Sequence, residues 1–380
     1  MRKILYISGT RADYGLMRET LFAIKKYSGL KVDIAVTGMH LLDEFGRTVE
    51  EIEKDGFHIH KLEAVCKEDN KESMANFIGE FIQLLTERVK TIKPNIILLL
   101  GDRGEMLAGA IVGTYLGIPV AHIHGGDVSS TVDEHTRHAI TKLSHLHFTA
   151  TGKSKERILK MGEEPWRVFI TGAPGLDSIL KEKLFSEKEI ANIYNLQLSK
   201  PFLLVIQHPV TGEFNEAGVQ MRETMEAIRN IGYQTIVIYP NVDAGGRKMI
   251  KVIEEYQKYP FIRIYKNIPH KDYLSLMKIS SVMIGNSSSG IIEAPSFHLP
   301  VVNIGTRQKG RERAGNVIDV DYRRDQIKQA IKKAIYDKIF KKVLSKCKNP
   351  YGNGKTGVKI AYILDKIKID NKLLQKRITY

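Results

Sequence analysis

A chain of 380 residues, of which 43% are hydrophobic and 27% charged, is typical of a globular protein and long enough for two domains. No apolar run is long enough to span a bilayer, and the apolar part of the N-terminus is too short for a signal peptide, so we expect a cytoplasmic protein without membrane contact. The net charge of +15 admits a nucleic-acid partner or an anionic small substrate, and the scattered lysines and lack of a nucleic-acid-binding motif favour the small substrate.

Strand-like apolar runs alternate with helix-like amphipathic segments along the first part of the chain. This pattern predicts strands over residues 4–7, 32–36, 96–100, 119–123 and 147–149. It predicts helices over residues 14–27, 72–91, 107–116 and 136–144. Alternation of this kind indicates a parallel sheet with helices on both faces.

A second alternating series follows a glycine-containing break at residues 172–175 and a charged helical segment. Its predicted strands are 202–206, 235–238, 262–265, 282–284 and 301–303, and its predicted helices are 221–231, 246–257, 273–279 and 291–294. We therefore predict an α/β fold of two doubly wound, Rossmann-like domains, over 1–171 and 172–362, with a ligand cleft between them. The last helix, about 363–380, is expected to pack back on the first domain.

Polar and charged residues follow nearly every predicted strand, where ligand-binding residues lie in doubly wound folds. The segment 285–293 is the most informative, because small and hydroxyl residues there join a buried strand to a helix start. Backbone N–H groups at such a turn bind phosphate. Glu293, an acid beside an anion site, is suited to accept hydrogen bonds from ribose hydroxyls. The alternative is a serine-rich turn with an ordinary N-cap.

Two other strand ends carry candidate charged groups. Arg11 follows a Gly-Thr turn, where a guanidinium suits phosphate oxygens, or it is a surface arginine. Asp102 follows four apolar residues and a glycine, so partial burial suits it to acid–base work. The alternative is that Asp102 caps the helix that follows.

Asp133 and Arg137 are four residues apart and face the same side of a predicted helix. An arginine beside a carboxylate keeps the acid ionised, as a catalytic base requires, but an exposed helix ion pair is the ordinary alternative. His208 follows an apolar strand and precedes a proline that fixes the turn, which favours a functional role over a place in the core.

A metal site is not expected. His122 and His124 alternate along a strand and share a face, but no third ligand is clearly placed. The two cysteines, Cys66 and Cys347, give neither a disulfide framework nor metal-ligand spacing. Neither a Gly-x-Ser-x-Gly elbow nor a Gly-x-Gly-x-x-Gly fingerprint occurs, which excludes serine hydrolysis and hydride transfer.

Taken in order, these motifs resemble the UDP-N-acetylglucosamine 2-epimerase family, and within it the hydrolysing branch of sialic-acid-type biosynthesis. The matching segments are 9–15, 38–40, 101–103, 122–127, 133–142, 207–211, 240–245, 285–293 and 305–311. The resemblance implies a glycosyltransferase-B fold and conversion of UDP-N-acetylglucosamine to N-acetylmannosamine and UDP. The implied route is removal of the C2 proton, anti elimination of UDP to 2-acetamidoglucal, and addition of water. It implies no cofactor.

The resemblance also implies roles for individual positions. Those on the nucleotide are Ser287 and Ser288 at the diphosphate, Glu293 at the ribose, Arg11 and Arg307 at phosphate, and Asn241 and Asp243 in the same pocket. Those in the chemistry are Asp102 and Asp133 as acid or base, Arg137 as orienting group, and His208 at the leaving diphosphate. His40 and Glu134 are the expected sugar contacts.

One position departs from the family pattern, because many members have a glutamate where this chain has His124. We therefore favour Asp102 as the base, with His124 as its partner, since an imidazole titrates near neutrality. The alternatives are a hydrolysing epimerase that uses GDP-N-acetylglucosamine or a modified UDP-sugar for a legionaminic-type acid, a glycosyltransferase of the same fold, and a nucleic-acid-binding protein. A homodimer or homotetramer is expected.

Overall fold

The computed structural model describes residues 1–43, 47–65, 71–128, 133–240 and 245–380, except for the side chains of Lys71, Asp133, Leu180 and Thr211. The chain divides into two compact units. Unit 1 contains Met1–Val128, Val132–Leu180 and Tyr351–Tyr380, and unit 2 contains Lys181–Pro350. The units therefore divide at 180/181 and 350/351, whereas the sequence placed the divisions at 171/172 and near 363.

Unit 1 is built on a parallel sheet of seven strands within the described residues, in the order β3-β2-β1-β4-β5-β6-β7. The strands are β1 Arg2–Ser8, β2 Leu30–Val36, β3 His58–Lys61, β4 Ile96–Leu100, β5 Val120–Ile123, β6 Leu146–Thr149 and β7 Val168–Ile170. Most positions of β1, β2, β4, β5 and β6 are buried, as expected when helices cover both faces of a parallel sheet.

The helices of unit 1 are α1 Arg11–Lys25, α2 Val49–Lys54, α3 Lys71–Ile92, α4 Gly104–Tyr115, α5 Asp133–Leu143, α6 Gly152–Lys160, α7 Leu176–Lys181, α15 Thr356–Lys366 and α16 Asn371–Leu374. Helix α15 returns to unit 1 and packs on α1. A Cβ at Gly357 would lie 2.8 Å from the Thr20 Cα atom, so a glycine is needed for this close approach. Asp177 accepts hydrogen bonds from the first amides of α15 and fixes its start.

Unit 2 repeats the arrangement with a parallel sheet of six described strands in the order β10-β9-β8-β11-β12-β13. The strands are β8 Phe202–Ile206, β9 Gln234–Ile238, β10 Ile262–Tyr265, β11 Val282–Gly285, β12 Val301–Ile304 and β13 Val317–Val320. The helices are α8 Glu187–Ile193, α9 Ala217–Ile231, α10 Gly246–Glu254, α11 His270–Ile279, α12 Ser289–Ile292, α13 Arg324–Tyr336 and α14 Lys338–Ser345.

The predicted α/β class with two doubly wound sheets is confirmed, and the fold is glycosyltransferase-B-like. In each sheet the strand order reverses direction once, between β1 and β4 and between β8 and β11. Ligands of doubly wound folds bind at the carboxyl ends of the strands that flank such a switch point. In the described ranges, the structure contains no helix with the length and apolar character needed to cross a membrane.

Candidate active site

In unit 1 the loop after β1 is organised by the buried carboxylate of Asp13. It accepts hydrogen bonds from the amides of Gly9 at 3.0 Å and Thr10 at 2.7 Å, and from the hydroxyl of Tyr6 at 3.1 Å. Thr10 in turn caps α1 by accepting from the Asp13 amide. Burial raises the pKa of Asp13, and the hydrogen bonds that its carboxylate accepts from Ser8, Thr10 and Gly9 oppose the rise. Asp13 therefore fixes the turn on which Arg11 is carried.

The two predicted ligand contacts near this loop differ in exposure. Arg11 is exposed, and its Nε atom is ion-paired with a carboxylate oxygen of Glu51 at 3.1 Å. The His40 side chain is buried, with Nε2 2.9 Å from the Ser8 hydroxyl and Nδ1 2.7 Å from the Thr48 hydroxyl. Burial lowers the pKa of His40 to about 4. Both ring nitrogens are thus engaged within unit 1, which favours a supporting role for His40 over a direct sugar contact.

The turn after β4 carries Asp102 at the switch point, ion-paired with Arg137 of α5. The Arg137 side chain is buried, and it also donates to the Asp127 carbonyl at 2.8 Å. Arg103, and not Asp102, is the N-cap residue of α4 and makes no side-chain cap bond. The Asp102 carboxylate is therefore held by an arginine at the carboxyl end of β4.

His122 of the neighbouring strand β5 supports this turn through a contact with its backbone. Its ring is fully buried in β5, and Nε2 lies 2.7 Å from the carbonyl oxygen of Gly101. Gly101 has φ +79°, a conformation that favours glycine. Burial lowers the pKa of His122 to about 3, so the ring is neutral and donates to that carbonyl. His122 positions the residue before Asp102.

The next loop leaves β5 through His124, which has φ +65°. Left-handed backbone at a residue with a side chain is costly and clusters at functional sites. The His124 Nδ1 atom lies 3.6 Å from an Asp127 carboxylate oxygen, and the Ser154 hydroxyl donates to the other Asp127 oxygen at 2.6 Å. The loop backbone is held by Arg157 at the Gly126 carbonyl. His124 is therefore presented at the edge of the sheet that carries Asp102.

Helix α5 carries the remaining predicted residues of unit 1. Glu134 is half-buried, and one of its carboxylate oxygens lies 3.8 Å from His138 Nε2. Asp133 begins the helix, but its side chain lies outside the described part of the chain. The pairing of Asp133 with Arg137 that the spacing predicts therefore lies outside the described side chains, and the described ion pair of Arg137 is with Asp102.

In unit 2 the two strand ends at the switch point are joined by Asn286, a residue to which the sequence assigned no role. Its side chain accepts from the His208 amide at 2.7 Å and donates to the His208 carbonyl at 2.9 Å. Gly285, just before it, has φ +126°, and a Cβ there would lie 2.0 Å from the Ile206 carbonyl oxygen. Asn286 is fully buried and fixes the backbone that presents the half-buried His208 ring.

The serines predicted to hold the diphosphate lie directly after Asn286. Ser287 is buried, and Ser288 is the N-cap residue of α12, which is a single turn and not a long helix. Arg307 donates to the Asn286 carbonyl at 3.2 Å, and Gln308 donates to the same oxygen at 2.8 Å. A guanidinium is thereby anchored beside the serine turn, and this arrangement suits a phosphate.

Glu293 lies one residue beyond α12 and faces Tyr273 of α11. The Glu293 Oε2 atom and the Tyr273 hydroxyl are both buried without a hydrogen-bond partner in the described structure. Burial raises the pKa of Glu293, and burial together with the nearby Glu293 charge raises the pKa of Tyr273. Buried polar atoms without partners are uncommon in folded proteins, and a ribose with its hydroxyl groups would satisfy these two.

The structure thus brings the predicted residues together in two groups, one in each unit. Unit 1 gathers Asp102, Arg137 and His124, and unit 2 gathers His208, Ser287, Ser288, Arg307 and Glu293. Asn241 and Asp243 lie outside the described residues. Sequence reasoning missed Asp13, Asn286 and Tyr273. For Asn286, the available signal was an asparagine directly after the glycine that ends a strand.

Comparison with known proteins shows which family the chain matches. Residues 22–365 match the family model described as UDP-N-acetylglucosamine 2-epimerase. The UDP-N,N′-diacetylbacillosamine 2-epimerase (hydrolyzing) of Legionella pneumophila is 43% identical over 377 residues, 99% of each chain. The UDP-N-acetylglucosamine 2-epimerase of Neisseria meningitidis serogroup B is 35% identical over 87% of each chain.

Solved structures show the same fold. A crystal structure of UDP-GlcNAc 2-epimerase from Neisseria meningitidis bound to UDP-GlcNAc superposes with a TM-score of 0.81 at 20% identity, covering 96% of this chain and 100% of that one. The UDP-GlcNAc 2-epimerase of Methanocaldococcus jannaschii in complex with UDP-GlcNAc and UDP gives a TM-score of 0.76 at 21% identity, over 95% of this chain and 99% of that one.

Proposed function

The chain belongs to the UDP-N-acetylglucosamine 2-epimerase family, and we propose that it is a hydrolysing 2-epimerase whose substrate is UDP-N,N′-diacetylbacillosamine. Hydrolysing epimerisation of a nucleotide sugar is the activity that the similarity supports. The observation that carries the choice of sugar is the 43% identity, over 99% of both chains, to the Legionella relative of that name.

The proposed reaction has two steps. A base removes the proton at C2 while the bond between C1 and the diphosphate oxygen breaks, which gives a glycal with a C1–C2 double bond and UDP. Water then adds across this bond, with its hydroxyl at C1 and a proton at C2 on the face opposite to the one lost. The products are UDP and the free 2-epimer of the sugar. These steps need no redox group and no acceptor sugar, so we propose no cofactor.

Unit 1 would supply the proton chemistry. We assign the base to Asp102, because its carboxylate stands at a strand end and is held by Arg137. His124 is the candidate for proton transfer in the hydration step, since its strained backbone presents the ring at the same edge. Asp133 stays the alternative acid or base, and Glu134 the candidate sugar contact, both on α5.

Unit 2 would bind the nucleotide and stabilise the leaving group. Charge that develops on the departing diphosphate requires cations and N–H donors. Ser287, Ser288 and Arg307 lie together after two neighbouring strands, and Asn286 fixes His208 beside them. Glu293 is assigned to the ribose because its Oε2 atom is buried without a partner. Arg11, Asn241 and Asp243 remain proposed phosphate or pocket residues.

UDP-N-acetylglucosamine is the second candidate substrate. It is favoured by the similarity to the UDP-N-acetylglucosamine 2-epimerase of Neisseria meningitidis and by the family resemblance of the sequence motifs. Its sugar has one acetamido group, whereas N,N′-diacetylbacillosamine has two. A GDP sugar is the third, since a Campylobacter jejuni relative, 35% identical over 84% of each chain, is a GDP/UDP-N,N′-diacetylbacillosamine 2-epimerase (hydrolyzing).

A comparison of steady-state kinetics on three nucleotide sugars tests the proposed substrate. The purified protein is supplied with UDP-N,N′-diacetylbacillosamine, its GDP counterpart and UDP-N-acetylglucosamine, and nucleotide release is measured for each. We expect kcat/KM to be at least about tenfold higher for the first, the effect of roughly 1.4 kcal/mol in transition-state binding. A preference for UDP-N-acetylglucosamine would refute the sugar assignment while retaining the reaction. We also expect a homodimer or homotetramer, which light scattering of the full chain measures.

A further inference from the structure

Strands β2 and β3 carry a group of potential metal ligands that the epimerase chemistry does not use. Among the described residues, Asp33, His58 and His60 are the one set of three His, Cys, Asp or Glu side chains whose ligand atoms all lie within 4.8 Å of one another. Asp33 lies beside His58 in the parallel register, and the two histidines alternate along β3 and share a face. The cluster lies within the strands and not in the loops that follow them.

The spacing of these atoms suits a tetrahedral cation. His58 Nδ1 is 3.3 Å and His60 Nε2 is 3.2 Å from the same oxygen of Asp33, Oδ2. Zinc binds nitrogen and oxygen ligands at about 2.0–2.1 Å with tetrahedral angles, so its ligand atoms lie roughly 3.3–3.4 Å apart. Both histidine–carboxylate distances therefore match the ligand separation of a tetrahedral site, and the two histidine nitrogens lie within 4.8 Å of each other.

A second feature of Asp33 concerns its other carboxylate oxygen, Oδ1. The Asp33 side chain is 2% exposed, and its second oxygen, Oδ1, is buried without a hydrogen-bond partner. The cation nearest to Oδ1 among the recorded ion pairs is Lys31 Nζ at 3.7 Å, on a side chain that is 50% exposed. Burial of a carboxylate with one oxygen that is not hydrogen-bonded destabilises the folded state, and a divalent cation bound at Oδ2 would neutralise the charge that both oxygens share and so offset part of this cost.

We propose that Asp33, His58 and His60 form a binding site for one divalent transition-metal cation, with Zn²⁺ as the test ion, that links the edge strand β3 to β2. Two imidazoles and one carboxylate select Zn²⁺, Co²⁺ or Ni²⁺ over Mg²⁺ and Ca²⁺, which prefer oxygen ligands. The exposed side of His58 leaves the fourth coordination position to water. Because β3 ends the described sheet, the cation fastens a strand that is paired on one side only.

The test measures metal binding to the full-length protein after removal of metal. Calorimetric titration with Zn²⁺, and the visible absorption of bound Co²⁺, are recorded for the wild type, His58→Gln and His270→Gln. His58 is 60% exposed, so His58→Gln is expected to fold. His270 is the matched control, because it is equally exposed and pairs with Glu182 at 3.2 Å but belongs to no such cluster within the described ranges.

We expect the wild type and His270→Gln to bind one equivalent of Zn²⁺ and to give the spectrum of tetrahedral Co²⁺. Loss of a supporting group around a metal typically costs 10–100-fold in affinity, so loss of a ligand in His58→Gln is expected to cost at least about 100-fold. Zn²⁺ should also slow amide hydrogen exchange in β3 and leave β10 unchanged. Equal binding by wild type and His58→Gln, or no binding by either, would overturn the proposal and leave a hydrogen-bonded cluster only.

Discussion

Substitution of Asn286 by alanine tests whether the His208 turn is part of the chemistry. The Asn286 side chain makes two hydrogen bonds to the backbone of His208, at 2.7 and 2.9 Å, and is 1% exposed. Its removal leaves the partly buried amide and carbonyl groups of His208 without these two hydrogen-bond partners. It also frees the first residues after β8 from the end of β11.

The expected loss of stability follows from these contacts. Two hydrogen bonds contribute about 1 kcal/mol each, and a buried group left unsatisfied costs about 1–3 kcal/mol, so we expect Asn286→Ala to lower the free energy of unfolding by about 2–4 kcal/mol. Activity should fall further than stability explains, because displacement of a site residue by about 1 Å costs roughly 100-fold in rate. We therefore expect kcat/KM to fall about 100-fold in protein that is still folded.

The assay combines urea unfolding with nucleotide release, measured at a temperature where circular dichroism shows a folded variant. Gln234→Ala is the control, because the Gln234 amide also bridges backbone groups, at 2.7, 2.9 and 3.0 Å, but at the opposite, amino end of β9. Gln234→Ala should lose stability and keep its kcat/KM. If Asn286→Ala lost stability yet kept kcat/KM within a factor of about three, the assignment of His208 to the leaving group would be refuted.

Three further substitutions address separate parts of the account. Asp102→Asn should lower kcat, and with it the rate of deuterium incorporation at C2 of the released sugar, about 10²–10⁴-fold, with little change in the Kd for UDP, because it removes the proposed base. Glu293→Gln should raise the Kd for UDP about 10–100-fold, since a hydrogen bond to a charged group contributes about 1.5–3 kcal/mol, and should not lower thermal stability, since burial already raises the pKa of this carboxyl. The pH dependence of stability should depend on His122, whose folded pKa of about 3 lies below its ordinary value of 6.5. The unfolded ring gains a proton below pH 6.5 and the folded ring does not until about pH 3, so stability is lost as pH falls. His122→Gln should remove about 2 kcal/mol of the loss between pH 7 and 5, as urea unfolding at each pH measures.

Each of these predictions has a control. Asp55→Asn breaks another aspartate–arginine pair, at 2.6 Å, in unit 1 and should leave kcat unchanged. Inorganic pyrophosphate lacks the ribose, so Glu293→Gln should bind it as the wild type does, and weaker pyrophosphate binding would argue for a general defect. An unchanged pH profile in His122→Gln would mean that this ring does not stay neutral in the folded state.

The two sheets were predictable because their central strands are short, apolar and separated by amphipathic helices. The strands that the sequence missed are β3, β7 and β13, whose residues are largely half-exposed or exposed and so lack a buried-strand pattern. The charged segment after residue 175 was predicted as one helix, whereas it forms α7 and α8. Ser186 begins α8 with a capping box, a local signal that was available in the sequence.

The expectation that ligand-binding residues follow the strands of a doubly wound fold identified the candidate residues but not their partners. Residue spacing on a helix cannot reveal that Arg137 also pairs with Asp102, which lies 35 positions away in sequence. The supporting roles of His122 and His40 depend on burial, which fixes the neutral ring and its hydrogen bonds. Such pairings are set by which strands are neighbours in the sheet, and spacing along one element does not contain that information.

In the proposed reaction, this protein breaks the C2–H bond of a UDP-sugar and releases the sugar from UDP. Proton NMR of the purified protein with UDP-N,N′-diacetylbacillosamine in deuterated water, with UDP-N-acetylglucosamine in a parallel tube, tests it most directly. We expect free 2-epimerised sugar carrying deuterium at C2, together with UDP, in the first tube. Formation of a UDP-linked 2-epimer in equilibrium with the substrate, without UDP release, would contradict the hydrolysing assignment, and an absence of turnover in both tubes would contradict the proposed function.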